Sequence, residues 1–407
     1  MPVSSAVNLD PAQTEPPQTS MSIYLDHNAT TPLRQEARDL WLSVSDELCG
    51  NPSSLHGGGR RARAILDDAR ERVAGALEVD EDAVLFTSGG TEANNLALFG
   101  VLGGCGRPRE EAGLLTSVVE HSSVLEPARA LERRGHPLSI LPVDAEGLVD
   151  PETILSSLPS NCALVSLQVA NNELGTLSNL TDIAATLAQT RGCRPWLHTD
   201  AVQALGRIPI DLRAWGADLA SFSAHKVGGP VGVGVLVKNP DVALEPLFWG
   251  GGQEDNLRPG TENVAGIAAA ALAIDLAVQE REAFASHTSA LSKKLWGELA
   301  DRCPGARLLG PNYGDPRRLP NTLNVILPGL EGRVLVTRLG MAGLALSAGS
   351  ACASGSLEPS HVLRAMGLNE ADARSGLRIS LGKSTTHIDC KRAVEILCTT
   401  NSSSHAT

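Results

Sequence analysis

The sequence predicts an α/β protein built on a mostly parallel sheet, followed by a smaller α+β unit. Its 407 residues, 42% of them hydrophobic, are enough for a sizeable core. Continuous apolar, β-branched runs alternate with helix-like stretches, which is typical of buried parallel strands joined by helices. From about Glu262 a long alanine-rich stretch replaces this rhythm, and new strand-like runs follow it.

The expected helix and strands follow from these runs. One long helix is expected from about residue 262 to 301, where it joins the larger unit to the smaller one. Strands of the smaller unit are expected at 322–327 and 377–382. The predicted strands of the larger unit are residues 83–88, 114–119, 163–170, 196–200, 219–224 and 232–238.

Charge and composition exclude several functions. The net charge is −12, so no broad basic face is available for direct nucleic-acid binding. No apolar run approaches the roughly 20 residues that a membrane span needs. Residues 1–21 are rich in Pro, Ser, Thr and Gln, so we expect a disordered tail without a targeting signal, and Met21 is an alternative start. The eight cysteines contain no C-x-x-C pair, which favours reduced thiols in the cytoplasm over a zinc site.

Polar residues follow five of the predicted strands. Ligands of open α/β sheets bind outside the carboxyl ends of the strands, so these residues are expected at one rim. The Gly89-Gly90-Thr91 turn opens a helix, which is typical of a phosphate cup. The other strand-end groups are Glu120-His121, Asn171-Asn172-Glu173, Asp200 and His225-Lys226.

An acid, a lysine and a phosphate cup together suit pyridoxal phosphate, the electron sink for carbanions beside an amine. Lys226 would supply the Schiff base, and Asp200 would keep the pyridinium nitrogen protonated. Each residue alone would more often be a cap or turn residue, but their joint placement favours the cofactor.

Ten motifs in order carry a family resemblance: YLDHNATTP, NPSSLHGGGRRAR, FTSGGTEANN, VEHSSVLEP, ANNELGT, HTDAVQALG, SFSAHKVGGPVG, GGGQEDNLRPGTEN, SAGSACASGSLEPSHVLRAMGL and LRISLGKSTT. From about residue 23 to 397 the chain resembles the pyridoxal-phosphate-dependent cysteine desulfurases of the class-V aminotransferase family. The resemblance implies a fold-type-I transferase with a mostly parallel seven-stranded sheet. The expected units are a tail at 1–21, a large cofactor domain at 34–281, a small domain at 22–33 and 282–398, and a polar tail at 399–407.

The resemblance also implies roles for single residues. His121 would stack on the cofactor ring and act as an acid/base, and Gln203 would hydrogen-bond its phenolate oxygen. Thr261 would reach the phosphate from a second subunit, which implies a homodimer. The remaining cofactor-binding residues would be Gly90, Thr91, Asn172, Asp200, Ser223, His225 and Lys226.

Asn172 and Arg378 would bind the substrate, because a guanidinium forks onto a carboxylate. Cys352 lies in a Ser, Ala and Gly-rich loop that suits a moving nucleophile. In the implied reaction, Lys226 removes the Cα proton of L-cysteine and Cys352 attacks the substrate sulfur, which leaves a persulfide and alanine. Cys352 is also expected to contact a transferred iron–sulfur cluster; no resident metal is expected.

Three alternatives were weighed against this reading. A P-loop at Gly382-Lys383-Ser384 fails because the first glycine would have to be residue 377, which is leucine. A selenocysteine lyase or another β-eliminating or transaminating relative stays open, since fold does not fix chemistry. A non-catalytic assembly partner would be expected to have lost Lys226 or Cys352.

Two departures from the family pattern concern the destination of the sulfur and the local charge. Gly228 and Val231 stand where many relatives have a bulky residue and a lysine. The short segment after Arg378 leaves delivery to an iron–sulfur scaffold open, beside tRNA thiolation and DNA sulfur modification. His27, His56 and His361 are assigned only helix-end or packing roles.

Overall fold

The computed structural model describes residues 22–159, 161–327, 332–349 and 359–402. The strands in these ranges are β1 (Ile23–Tyr24), β2 (Val84–Thr87), β3 (Gly113–Ser117), β4 (Leu138–Leu141), β5 (Cys162–Ser166), β6 (Trp196–Asp200), β7 (Leu219–Ser223), β8 (Gly234–Lys238), β9 (Arg307–Leu309), β10 (Thr322–Ile326), β11 (Leu344–Ala345) and β12 (Gly376–Ser380). The α-helices are α1 (Gln35–Glu47), α2 (Gly57–Leu77), α3 (Gly90–Gly104), α4 (Ser122–Arg133), α5 (Pro151–Ser157), α6 (Leu180–Leu187), α7 (Val264–Gln279), α8 (Arg281–Arg302), α9 (Gly332–Met341), α10 (His361–Ala365), α11 (Glu370–Arg374) and α12 (His387–Ser402).

The largest sheet has seven strands in the order β2-β8-β7-β6-β5-β3-β4. Strands β3 to β7 run parallel to one another, whereas β8 is antiparallel to both β7 and β2. The prediction of a parallel strand at 232–238 is therefore wrong in direction. Only residues 224–233 join β7 to β8, and a parallel crossover needs a longer connection. The mostly parallel α/β fold is confirmed.

The edge strand β4 was not predicted. Its Ile140 is 40% exposed, and the run lacks the continuous apolar character of the inner strands. Successive side chains of a strand point to opposite faces of the sheet. In the inner strands both of these faces are buried. Leu115 and Val165 enter one apolar cluster and Leu114 and Leu164 enter another on the opposite face. Each of these burials stabilises the fold by roughly 1.5–3 kcal/mol.

The long helix predicted from 262 to 301 is two helices, α7 and α8. The helix is interrupted at Glu280, whose φ of −85° and ψ of −3° lie outside the α-helical minimum. The carboxylate of Glu280 binds Arg34 and Lys383, each at 2.8 Å. The chain therefore turns at a point that is held by two ion pairs.

Two smaller sheets are formed mainly by the chain after this break. One is the antiparallel sheet β12-β10-β9, and the other is the parallel pair β1-β11. They pack with α8, α9 and α12 around a separate cluster that includes Leu323 and Leu377. A bridge between Asp26 and Ser380 brings the segment after β1 beside the strand that carries Arg378. The boundaries of the two domains stay a prediction.

The helices of the described ranges include none that is both long and apolar enough to span a membrane. The predicted tail at 1–21 lies outside these ranges. The polar tail predicted from 399 overlaps helix α12, where the Thr399 hydroxyl donates to the Glu395 carbonyl oxygen at 2.8 Å.

His198 on β6 is expected to make the fold sensitive to acid. The ring is fully buried between the hydroxyls of Ser166 and Ser221, and burial lowers its pKa to about 3. A lowered histidine pKa stabilises the fold above the unfolded pKa of roughly 6.5, and this contribution is lost as pH falls towards 3. The contribution of His198 to the free energy of unfolding should thus decrease by ~2 kcal/mol between pH 7 and pH 5.

Urea titrations of wild type, His198→Gln and a control, His287→Gln, at both pH values test this expectation. His287 is exposed, and its Nε2 lies 2.9 Å from the Thr385 carbonyl oxygen. The change in unfolding free energy between the two pH values should differ from wild type by ~2 kcal/mol in the His198 variant and should be unaltered in the control. An equal change of unfolding free energy with pH in all three proteins would contradict the assignment of this acid sensitivity to His198.

Candidate active site

A cavity of about 190 Å³ lies at the carboxyl ends of the parallel strands. It brings together most of the predicted site residues, which come from separate strand ends and from β12. Those that line it are Gly90, Thr91, His121, Asn172, Asp200, Gln203, Ser223, His225, Lys226 and Arg378. Thr261 is exposed and outside this cavity, and Cys352 lies outside the described residues.

Lys226 closes a short 3-10 turn, Ala224–Lys226, directly after β7. Its Nζ donates to the carbonyl oxygens of Asn28 and Ala29, both at 2.7 Å. A buried strand followed by a tight turn fixes the backbone of the lysine, and the two carbonyl groups orient its amine. The amine is therefore presented to the cavity at a fixed place.

Asp200 ends β6 and is 7% exposed. Its Oδ2 accepts a hydrogen bond from Asn94 Nδ2 at 2.8 Å, and its Oδ1 accepts from the Val202 amide at 3.0 Å. These two hydrogen bonds fix the orientation of the Asp200 carboxyl group, which lines the cavity.

The start of α3 is where the phosphate cup is predicted. Gly90 opens this 15-residue helix, whose first amides have no partner within the helix. A Cβ on Gly90 would lie 2.8 Å from Val202 Cγ2, so a side chain there would clash. Ser223 and His225 line the same cavity, and a phosphate can approach the backbone closely at this point.

His225 is neutral at pH 7. Burial, and then the charge of Lys226, lower its pKa to about 4. Its Nδ1 lies 3.1 Å from the Thr30 hydroxyl. The ring therefore acts as a hydrogen-bonding group, and the positive charge beside the cup is that of Lys226.

His121 is the N-cap of α4. Its Nδ1 accepts a hydrogen bond from the Ser123 amide at 3.1 Å and lies 2.7 Å from the Ser123 hydroxyl. Because Nδ1 is the acceptor, the neutral ring carries its proton on Nε2. The stacking and acid/base role of His121 stays a prediction, and the contact with the Ser123 amide favours the tautomer with the proton on Nε2.

Gln203 is buried three residues after Asp200. Its Nε2 donates to the Asn28 carbonyl oxygen at 3.0 Å, and its Oε1 accepts from Arg207 Nη1. Both polar atoms of the Gln203 side chain are therefore hydrogen-bonded. The Asn28 carbonyl oxygen accepts from Gln203 and also from Lys226.

Arg378 on β12 is buried, with 1% of its surface exposed. Its Nη2 donates to Asp26 Oδ1 at 2.7 Å and to the Ser347 hydroxyl at 3.2 Å, and its Nη1 donates to the Asn172 carbonyl oxygen at 3.2 Å. Its Nε has no partner among the described residues. The Arg378 side chain is thus fixed at the cavity wall, and its Nε–H group can still donate a hydrogen bond.

Several residues that support the site were not predicted individually: Asp26, Asn28, Asn94, Ser123 and Gln168. Asn94 follows Gly90 by one helical turn, and that spacing was a usable signal because such residues share a helix face. Glu120 was noted only as a strand-end residue. Burial, with a smaller effect of the Asp200 charge, raises its pKa to about 8, and its carboxyl group accepts from the Gln168 amide at 3.0 Å.

These groups fit the predicted pyridoxal phosphate. The glycine cup and helix start suit a phosphate, Asp200 suits a protonated ring nitrogen, and Lys226 suits an aldehyde carbon. The described residues contain no cluster of His, Cys, Asp and Glu able to hold a metal ion. The residues present therefore suit a cofactor that stabilises a carbanion beside an amine.

Comparisons with known proteins agree with this geometry. The family model for class-V aminotransferases matches residues 23–392. Cysteine desulfurase IscS of Dictyoglomus turgidum is 40% identical over 375 residues, which cover 92% of this chain and 93% of the relative. A solved NifS-like protein is 35% identical with a TM-score of 0.86, covering 94% of this chain and 100% of its own. A structure of SspA in complex with cysteine is 30% identical with a TM-score of 0.76, covering 90% and 100%.

Proposed function

We infer, since this chain belongs to the class-V aminotransferase family, that it is a cysteine desulfurase that uses pyridoxal phosphate. The observation that carries this function is the single cavity shared by Lys226, Asp200 and Arg378. L-cysteine is the proposed substrate, in agreement with the cysteine bound in the solved SspA structure. The proposed products are L-alanine and a sulfur atom carried on Cys352.

Pyridoxal phosphate, when bound, supplies an electron sink for the carbanion formed at the substrate Cα. The start of α3 with Gly90 and Thr91, Ser223 and His225 would hold its phosphate. Asp200 would hold the proton of its ring nitrogen, Gln203 would bind its phenolate oxygen, and His121 would pack on its ring face. The family resemblance implies these roles, and the side chains concerned all line the cavity.

Substrate orientation is assigned to Arg378 and Asn172. A buried guanidinium attracts a carboxylate strongly because little water screens it. Asp26 and the Asn172 carbonyl oxygen fix the guanidinium plane, so the carboxylate meets donors in a set orientation. This placement directs the substrate Cα towards Lys226.

Proton movement is assigned to Lys226 and His121. Lys226 would hold pyridoxal phosphate through its Nζ, and the same Nζ would take the Cα proton of the substrate. The carbonyl groups of Asn28 and Ala29 keep Nζ in place for this step. Proton donation to the substrate is assigned to Nε2 of His121, because Nδ1 accepts a hydrogen bond from the Ser123 amide.

Sulfur transfer is assigned to Cys352. Its thiolate attacks the substrate sulfur, an S–S bond forms and the Cβ–S bond breaks; the electron pair stays with Cβ, which gains a proton as alanine forms. The chain on either side is anchored near the site: Ser347 contacts Arg378, and Ser360 donates to Glu173 Oε2 at 2.6 Å. From Ser347, extended chain to Cys352 reaches at most about 18 Å.

Arg378→Ala is expected to lower kcat/KM for L-cysteine at least about 100-fold, mainly through KM, because the carboxylate loses a charged, two-point contact. Arg378→Lys keeps the positive charge beside Asp26 but cannot donate two parallel hydrogen bonds to a carboxylate. Its kcat/KM for L-cysteine should be roughly tenfold lower than that of wild type. Steady-state alanine formation and a cysteine titration of the cofactor absorption provide the two measurements.

Thermal unfolding of both variants is the control for folding, because loss of Arg378 leaves Asp26 without its ion-pair partner. The lysine variant should unfold near the wild-type temperature. Unchanged cysteine affinity in a folded Arg378→Ala protein would place the carboxylate elsewhere.

The overall function is tested on the purified holoenzyme with L-cysteine. Stoichiometric alanine, together with a gain of about 32 Da, one sulfur atom, on the peptide containing Cys352, is the expected result. Pyruvate and ammonia would indicate β-elimination instead. Turnover of selenocysteine without turnover of cysteine would indicate a selenocysteine lyase.

We further propose a cytoplasmic homodimer that delivers its sulfur to an acceptor protein. Thr261 is exposed just before α7, which supports a contact with the cofactor phosphate of a second subunit. Iron–sulfur assembly is the destination suggested by the name of the IscS relative, and Cys352 would then also contact the transferred cluster. Pull-down of sulfur-labelled acceptors from cell extract would identify the recipient.

A further inference from the structure

Two cysteines meet far from the candidate active site. The Sγ atoms of Cys303 and Cys398 lie 2.6 Å apart, although the residues are 95 positions apart in the chain. Cys303 immediately follows α8, and Cys398 lies in the last turns of α12. A disulfide bond is only about 0.6 Å shorter than this separation.

The surroundings of the pair differ from those of other described cysteines. Cys105, Cys162 and Cys193 direct their thiols at backbone carbonyl oxygens. Cys303 is 4% exposed within the apolar cluster of the smaller sheets, whereas Cys398 is partly exposed at its edge. Cys398 is therefore the partly exposed residue of the pair, and Cys303 is buried beside it.

We propose that Cys303 and Cys398 form a redox modification site, which closes to an intramolecular disulfide when the protein meets a small disulfide such as oxidised glutathione. This assignment differs from the all-thiol state that the cysteine spacing predicts. It depends on the contact of α8 with α12 and is independent of the desulfurase reaction.

The chemistry balances as two exchanges. The Cys398 thiolate attacks the small disulfide, forms a mixed disulfide and releases one thiolate. Cys303 then gives up its proton, attacks the Cys398 sulfur and releases the second thiol, so two protein thiols are oxidised and one small disulfide is reduced. Burial, and then the neighbouring Cys398, raise the pKa of Cys303 to about 12, which makes Cys398 the sulfur that reacts first.

The bond would attach the last helix to the core of the smaller sheets. Helix α12 packs on α8 and α9, and its Val394 and Leu397 are fully buried in the same cluster as Cys303. A cross-link over 95 positions restricts the unfolded chain strongly. Oxidation should therefore lower the equilibrium constant of unfolding at least about 100-fold.

The test equilibrates the holoenzyme in buffers of increasing oxidised-to-reduced glutathione ratio and then alkylates the remaining thiols. Wild type should yield a cross-linked peptide pair about 2 Da lighter than the separate thiol peptides, and its urea midpoint should rise. Cys193→Ser, which removes an exposed cysteine, should behave like wild type. Cys398→Ser should yield neither the cross-link nor the shift.

The proposal is overturned if the most oxidising buffer leaves Cys303 open to alkylation in the unfolded protein while Cys398 carries a glutathione adduct. It is equally overturned if the urea midpoint of Cys398→Ser rises as much as that of wild type. Alanine formation is recorded separately, so failure of the desulfurase assignment does not affect either readout.

Discussion

Replacing Lys226 with alanine is expected to lower the kcat for L-cysteine by at least about 10⁴-fold, because one amine both holds the cofactor aldehyde and takes the Cα proton. The visible absorption that depends on the bond between cofactor and lysine should disappear at the same time. Asn28 and Ala29 place this amine at the strand end, and no other lysine lines the cavity among the described residues. Absorption spectra and alanine assays of the purified variant measure both effects.

Lys238→Ala is the matched control. Lys238 ends β8, its Nζ also donates to backbone carbonyl oxygens, at 3.2 and 3.3 Å, and it does not line the cavity. This variant should keep both the absorption and the turnover. A Lys226→Ala protein that retained either property would remove the lysine from its assigned role.

Replacing Cys352 with alanine is expected to separate binding from sulfur transfer. Cofactor and L-cysteine should still bind, since Lys226, Asp200 and Arg378 are unchanged, and the absorption should still respond to cysteine. Alanine formation should fall at least about 10³-fold, because the substrate sulfur has lost the thiolate that attacks it. Single-turnover alanine formation, with the mass of each cysteine peptide, measures the effect.

Cys193→Ala is the control for this variant, because Cys193 is exposed and lies in the loop before β6. It should transfer sulfur at the wild-type rate. Normal turnover by Cys352→Ala, with the extra sulfur on a different peptide, would assign the nucleophile to that other thiol.

The parts of the site that lie at the ends of buried strands could be predicted from the sequence. Asp200 and Lys226 follow apolar runs directly, so the rule for parallel sheets places them at one rim. The pairing of Asp26 with Arg378 could not be predicted, because the two residues are 352 positions apart and only the packed fold joins them. The family resemblance supplied the role of Arg378 and left its partner unnamed.

The errors in the fold have similar causes. Apolar content indicates that a strand is buried but not its direction, so β8 was expected to be parallel. The edge strand β4 lacks a continuous apolar run because part of it faces solvent. The break at Glu280 depends on ion pairs with Arg34 and Lys383, which come from distant parts of the chain.

The same pairing of Asp26 with Arg378 sets the order of events during synthesis on the ribosome. A chain grows from its N-terminus at about 5–20 residues per second, so Asp26 waits roughly 20–70 s for its partner. During that time Lys226 and the proposed phosphate cup are synthesised, and the arginine proposed to bind the substrate comes last. On the proposed roles, the nascent protein acquires its cofactor-binding residues well before the residue that selects an amino acid.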